Sequence, residues 1–432
     1  MSFIATFKKN PWSWIPTLYY IQGLPNVMVV EVSVAMYATL SISNSDIGFY
    51  TSLFYLPWVI KPFWSPLVDT YKTKRWWTVA TQFTMSLLFA GIILALISGS
   101  FFLASVILFY FIALLSATHD IAADGFYMLA LSEEKQAFFV GIRSTFFRIA
   151  IISGKGGLIV LAGYMIESGI DTLNAWSISF GIVAVLFFLL SFYHSIVLPK
   201  PDTDVSTEYD TVKDQLTEFL KTIVTFFKKD DIWVSLLFIL FYRFGEAQLV
   251  KMSSPFFLAP IEEGGLGLSL QALGTISGTI GVLALVFGGI LGGILISRNG
   301  LKFWLWPMII AMNVPNLSYV ILSFTQTDSY FLISSLVALE QFGYGFGFAA
   351  FLMFLIYIAK GEYKTSHYAF ATGFMALGLM LPGIVSGYIQ EWLGYKEFFI
   401  WIMIATIPIF LITPFIKIEN DFGKKKEKTT TE

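Results

Sequence analysis

The sequence predicts an all-α membrane protein with twelve transmembrane helices arranged as two six-helix halves. Three observations predict it. Hydrophobic residues make up 56% of the 432 and charged residues 13%, with mean hydropathy +0.73, whereas a soluble chain carries roughly a quarter charged residues. Apolar runs of about 20 residues, the length that crosses a bilayer as a helix, recur twelve times. The basic residues alternate between links. Twenty of the 27 Lys and Arg fall on one set of links, six fall within spans, and Lys396 alone falls on the other set. Lys and Arg mark the cytoplasmic side, so the count of spans is even and both termini are expected in the cytoplasm. An odd count would scatter the charges.

The first half, residues 1–198, is expected to cross at 14–40, 46–68, 76–98, 101–130, 138–165 and 173–198. Its N-terminus lacks a cleavage pattern, so the first span is expected to carry targeting. The block QGLP, Gln22 to Pro25, predicts a break or kink there, because proline has no N–H to donate. Residues 199–230 open with Pro and Asp. Leu216, Phe219, Leu220, Ile223, Phe226 and Phe227 then follow at helical spacing, which predicts an amphipathic linker helix on the cytoplasmic surface. The second half, 231–418, is expected to cross at 231–258, 269–296, 303–324, 329–359, 365–390 and 395–417, before a cytoplasmic tail, 419–432.

Composition also excludes chemistry. There is no cysteine, hence no thiolate metal site, disulfide or cysteine nucleophile. Net charge −2 offers no basic face for nucleic acid. No metal or cofactor is expected. The partners expected are a small-molecule substrate, protons and the lipid bilayer, with the chain working as a monomer.

The charges that remain inside the spans sort by depth. Lys61, Asp69, Asp120, Asp124 and Arg143 come out near the cytoplasmic end. Asp120 and Asp124 share one helix face. A cytoplasmic gate of ion pairs built from Lys61, Asp69, Asp120 and Arg143 fits that depth better than a proton relay, although Asp124 is kept among the proton-coupling candidates. His119 reads as a packed polar residue, and His194 and His367 carry no special signal. A second set lies deeper: Arg148, about 15 Å into its span, with Arg243, Glu246 and Glu340 at similar depth and Glu31 and Lys155 toward the outer side. Each would cost roughly 2.5–3.5 kcal/mol facing lipid. The set is therefore expected to line a water-filled cavity between the halves. Arg243 and Glu246, three residues apart, have a simpler alternative in pairing with each other.

Across the spans six bases (Lys61, Arg143, Arg148, Lys155, Arg243 and Lys251) stand against five acids, and the deep Arg and Lys suit an anionic substrate. Arg148, Arg243 and Lys155, with Gln22, Asn26, Gln248 and Gln341, are the substrate-binding candidates. Glu246, Glu340, Glu31 and Asp124 are the candidates for carrying a proton, since a buried carboxylate holds one more readily. Trp58, Trp64 and Tyr344 are aromatic faces available to sugar rings. The glycines of LEQFGYGFGFAAF read as close helix packing, because no strand precedes them as a phosphate loop requires.

Two links look like copies. SPLVDTYKTKR from Ser65 and GILISRNGLKF from Gly293 each place a small residue before a tight basic turn. They resemble the loop signature of the major facilitator superfamily, whose halves are parallel repeats. Ser297 takes the acidic place in the second copy, and the first keeps Asp69 but loses the glycines. More specifically, QGLP, IGFYTSLFYLPWVIKPFWSPLVD, SATHDIAADGFY, FRIAIISG, RFGEA and LEQFGYGFG resemble the AmpG-type muropeptide permeases over essentially the whole chain. The resemblance implies a major facilitator fold and proton-driven import of anhydro-muropeptides across a bacterial inner membrane. It matches Asp120 and Asp124 to the family's paired acids, Arg148 to its base on span 5, Arg243 and Glu246 to its charged pair on span 7, and Glu340 to its acid on span 10. His119 stands where relatives often carry Gln, and Glu31 and Lys155 have no place in the pattern. Acetyl-CoA transporters share the broad group.

The expected function is a proton-coupled symporter for anhydro-muropeptides or a related anionic amino-sugar conjugate, rather than an enzyme. Another oligosaccharide or acetyl-CoA is the alternative cargo. A membrane-embedded glycan acyltransferase is the alternative class, and it would have to use the pair His119 and Asp120. A receptor would need an output domain, for which only the linker offers residues.

Overall fold

A computed structural model describes residues 10–98, 101–205, 212–361 and 363–424. Lys8, Lys9 and the last tail lysines lie outside the described residues. Among those described, eleven helices are long and apolar enough to cross a membrane. They are span 1 (Pro11–Thr39), span 3 (Lys74–Leu96), span 4 (Phe101–Ala130), span 5 (Glu134–Glu167), span 6 (Thr172–Val197), span 7 (Ile232–Leu258), span 8 (Leu270–Asn299), span 9 (Leu301–Thr325), span 10 (Tyr330–Ile358), span 11 (Ser366–Leu393) and span 12 (Tyr395–Phe415). Span 2 is the twelfth. It is split into Asn44–Leu53 and Leu56–Thr70, because the chain turns at Phe54 and Tyr55 and restarts with Pro57 in the first helical turn. Proline is favoured there, where its missing N–H would have no partner anyway.

The links are short because their residues end helices cheaply. Thr73 accepts from the Trp76 amide and Asp171 from those of Leu173 and Asn174, each satisfying donors the helix cannot. Gly300 and Gly394 take φ of +86° and +80° between consecutive spans, a conformation that glycine alone adopts freely.

The chain forms two compact units, Met1–Thr217 with Leu268–Gly278, and Glu218–Gly267 with Thr279–Glu432. In the first unit span 1 packs on span 5, span 3 on spans 4 and 6, and span 2 on span 4. In the second, span 7 packs on span 11, span 9 on spans 10 and 12, and span 8 on span 10. Adding six to each span number of the first pattern gives the second, so the two units repeat one packing plan. Trp14, Tyr19 and Phe126 centre a core cluster in the first unit; Tyr242, Met308, Phe351 and Phe354 centre one in the second. Phe188, Leu189 and Phe192 remain exposed along span 6, as a lipid-facing surface requires.

Three details refine the expectations. The QGLP segment does not break span 1. The α-helix Ile15–Val27 runs through Pro25, and the distortion comes one turn later as π-helical turns at Met28–Val32. The linker helix is Val212–Phe227; Phe226 is buried against His367, Phe370 and Phe374, while Leu220 and Val224 face outward. The glycines of span 10 are close-packing positions. A Cβ on Gly343 would lie 2.0 Å from the Ala311 carbonyl oxygen, and one on Gly345 2.0 Å from that of Leu285. Spans 9 and 8 thus seat directly on the span 10 backbone.

Candidate functional site

The paired acids of span 4 do not share a partner. Asp120 accepts from Gln22 Nε2 on span 1 and from Trp58 Nε1 on span 2, both at 3.0 Å, and Lys61 lies within electrostatic reach. Asp124, one turn on, accepts from Arg143 of span 5 at 2.8 Å and from the Tyr19 hydroxyl at 3.2 Å. The Arg143 guanidinium also sits 4.4 Å from the centre of the Tyr19 ring and 5.0 Å from that of Tyr127. One carboxylate is therefore held by neutral donors and the other by an arginine clamped on two rings. Within the expected gate, Arg143 is therefore paired with Asp124 and Asp120 is held by Gln22 and Trp58. The side chain of Asp69 lies outside the described residues.

Glu31 and Lys155 form an ion pair at 2.5 Å with side chains 28% and 17% exposed. Both stand in π-helical turns, Glu31 in Met28–Val32 and Lys155 in Ile152–Leu158, and these two segments pack on each other. A third such segment, Gly274–Gly281, seats Gly278 against the Lys155 backbone, where a Cβ would lie 2.3 Å from its carbonyl oxygen. π-Helical turns are rare and are found mostly at functional positions. Arg148 is half-buried, and its side chain has no hydrogen bond or ion pair among the described residues. Gln22 is buried, and its Oε1 has no hydrogen-bond partner among the described residues. Asn26 is half-buried on the same span.

Sequence reasoning missed a buried polar chain beside this site. Thr17 Oγ1 contacts His194 Nε2 at 2.9 Å, His194 Nδ1 contacts Gln82 Oε1 at 2.8 Å, and Gln82 Nε2 contacts His119 Nε2 at 2.8 Å. It ties spans 1, 3, 4 and 6 together. The signal was three isolated polar residues, Gln82, His119 and His194, in otherwise apolar spans.

In the second unit the key residue is Arg243. The helix Ile232–Tyr242 ends on it and the helix Phe244–Leu258 begins after it, with Arg243 itself non-helical at φ −119°, ψ 20°. Tyr242 is fixed by its hydroxyl donating to the Gly347 carbonyl at 2.7 Å and by stacking on Phe351. The next side chain, Arg243, is 8% exposed and lies 4.8 Å from the Tyr344 ring centre and 5.3 Å from that of Phe348. Among the described residues it makes no hydrogen bond or ion pair, and Nε is buried without an acceptor. The simpler alternative, a pair with Glu246, is not formed. Tyr344 is thereby occupied by a cation rather than open to a sugar, and Trp58 is committed to Asp120.

Glu246 and Glu340 are both fully buried, and both lie within electrostatic reach of Tyr319. Gln341 Nε2 donates to Glu340 Oε2 at 2.9 Å. Gln248 is buried with both ends engaged, accepting from Trp401 Nε1 at 2.9 Å and donating to the Phe244 carbonyl at 3.2 Å. Lys251 is buried on the same helix. The arrangement can offer a desolvated guanidinium to an anion, and it holds two carboxylates near one tyrosine, either of which would lose its charge by taking a proton.

A model of the Major Facilitator Superfamily matches residues 17–386. The chain is 26% identical over 411 residues to the anhydromuropeptide permease of Escherichia coli (strain K12), covering 94% of this chain and 79% of that protein. It is 24% identical over 431 residues to the putative transporter AmpG 4 of Rickettsia conorii, covering 96% and 99%. Among solved structures it is similar to the D-xylose-proton symporter, with TM-score 0.70 and 15% identity over 95% of this chain and 98% of that one. It is also similar to the nucleoside transporter NupG, with TM-score 0.68 and 16% identity over 94% and 98%. The last two share the fold; the first two bear out the AmpG-type resemblance of the motifs.

Proposed function

The chain belongs to the Major Facilitator Superfamily, and from that premise we propose that it is a proton-coupled symporter. Its cargo in this reading is an anhydro-muropeptide or a related anionic amino-sugar conjugate, imported across the bacterial inner membrane with both chain termini in the cytoplasm. The halves are residues 1–198 and 231–418, joined by the linker 199–230 and followed by the tail 419–432.

One observation carries the reading: Arg243 is a buried guanidinium held on two aromatic faces, and among the described residues its side chain has no hydrogen bond or ion pair. A buried arginine without a hydrogen-bonded partner is costly, and a substrate carboxylate would supply the bidentate partner its planar fork is shaped for. Arg148, with no partner among the described residues, has the same role in the first unit. Gln22, whose Oε1 has no hydrogen-bond partner among the described residues, and Asn26 supply neutral contacts. Lys155 and Gln341 are drawn in when Glu31 and Glu340 are neutralised, and Gln248 acts by holding its helix on Trp401.

Coupling is assigned to the buried carboxylates. Glu246 and Glu340 are the first choice, with Glu31 and Asp124 as acids whose basic partners, Lys155 and Arg143, are released on protonation. Lys61, Asp69, Asp120 and Arg143 form the inner gate, the Arg143–Asp124 bridge being the contact that must part. The sequence similarity to the Escherichia coli permease supports the cargo, and the motif at RFGEA supports the anion contact.

The test is uptake of labelled anhydro-muropeptide into proteoliposomes, with and without an inward proton gradient. Accumulation that requires the gradient is expected. Equal equilibration in both conditions would remove proton coupling. No uptake by folded protein would remove this cargo and turn the search to acetyl-CoA and other anionic sugars.

A further inference from the structure

We propose that the start of span 3 and the segment after span 6 form a binding site for an anionic phospholipid. A cleft of about 550 Å³ lies there in the first unit. Arg75 and Lys200 line its polar end; Trp76, Val79 and Phe83 line the remainder. Trp76 and Phe83 are each 44% exposed, large aromatic rings left uncovered by the protein.

The order of these groups along the helix is that of a lipid molecule. Arg75 stands in the first turn of span 3, where the chain enters the bilayer, and Phe83 lies about 12 Å deeper at 1.5 Å per residue. Cations sit at headgroup level, tryptophan at the interface, where its amphipathic ring is favoured, and phenylalanine at the depth of the acyl chains. A soluble phosphate would use only the first of these.

The charge at the polar end is available. Arg75 donates through Nε to the Leu198 carbonyl at 3.2 Å and through a terminal nitrogen to the Ser195 carbonyl. Both acceptors are neutral and fix the guanidinium, while the Asp204 carboxylate lies within electrostatic reach and offsets part of its charge. Lys200 is exposed. The acid in the cleft wall, Asp204, is buried and spent on the helix start, its two oxygens accepting from the amides of Lys74 at 2.7 Å and Arg75 at 3.0 Å. The open end of span 3 is therefore already capped, and what remains for a ligand is the pair of side-chain cations. Basic pockets next to transmembrane helices recognise anionic headgroups in this manner.

Trp76 is the reporter. Full-length protein would be placed in phosphatidylcholine vesicles containing phosphatidylglycerol, with bromine on the chains of one lipid or the other. The quenching lost in Trp76→Phe isolates the signal of that ring among the 12 tryptophans. Brominated phosphatidylglycerol is expected to quench it in preference to brominated phosphatidylcholine. Lys200→Gln, which disturbs no bond among the described residues, is expected to reduce that preference about five-fold. Arg75→Gln also removes the bonds to Leu198 and Ser195, so it is read only alongside Lys200→Gln. Equal quenching by both lipids, or an undiminished preference in Lys200→Gln, overturns the site. Loss of the preference on adding inorganic phosphate at matched ionic strength reassigns the cations to a soluble anion and overturns the lipid.

Discussion

Replacing Arg243 by alanine separates a binding role from a structural one when uptake and melting are read together, because the buried side chain also packs on two rings. Within the protein it loses only its position over Tyr344 and Phe348, at 4.8 and 5.3 Å, contacts worth roughly 0.5–2 kcal/mol when desolvated. Among the described residues its side chain has no hydrogen bond to break. Toward substrate the loss is larger. A hydrogen bond between a guanidinium and a carboxylate is worth about 1.5–3 kcal/mol, which converts to a rise of roughly 10- to 150-fold in the KM for uptake. Lysine keeps the charge but not the flat fork or the stacking, so Arg243→Lys should fall between. The assay is initial uptake rate against substrate concentration in proteoliposomes, with the melting temperature of each protein recorded in parallel. If Arg243→Ala melted far below the wild type, or if the folded variant kept the wild-type KM, the anion-binding assignment would be refuted.

Three further outcomes are expected. Glu340→Gln keeps an oxygen to accept from Gln341 but cannot take a proton; accumulation driven by a gradient should vanish while exchange of labelled for unlabelled substrate persists, and unchanged accumulation would clear Glu340 of coupling. Asp124→Arg and Arg143→Asp should each abolish uptake and the double swap should recover part of it; the ion pair itself, 43% and 28% exposed, contributes no more than about 1 kcal/mol, while loss of the Arg143 contacts to the Tyr19 and Tyr127 rings lowers melting somewhat further, and a swap as inactive as the single variants would count against the gate. Gly345→Val would drive a side chain into the Leu285 carbonyl, 2.0 Å from the new Cβ, costing roughly 1–3 kcal/mol or more, and a wild-type melting curve would show that spans 8 and 10 part readily.

The span boundaries were legible because they rest on bulk hydropathy, which a bilayer enforces residue by residue. Span 10 was expected at 329–359 and stands at Tyr330–Ile358; span 4 was expected at 101–130 and stands there. Depth was legible for the same reason, since counting along a helix measures distance. Partners were not. Asp120 and Asp124 share a face by spacing, yet which donor meets each depends on where Trp58 and Arg143 come round on other helices. Pairing of Arg243 with Glu246 was allowed by three-residue spacing, but the helix is interrupted at Arg243, and the spacing rule holds only inside a continuous helix. The His119–Gln82–His194–Thr17 chain escaped because each member alone is an ordinary packed polar residue.

The widened turns at Met28–Val32 and Ile152–Leu158 have a consequence for how such chains should be aligned. A π-helical turn is an α-helix into which one residue has been inserted. Take that residue out and every side chain beyond it swings by about 100° around the axis. Glu31 and Lys155 meet because two helices carry such an insertion at facing levels. A relative lacking either extra residue would align here with a one-position gap and would aim a neighbouring side chain at the place of the bridge.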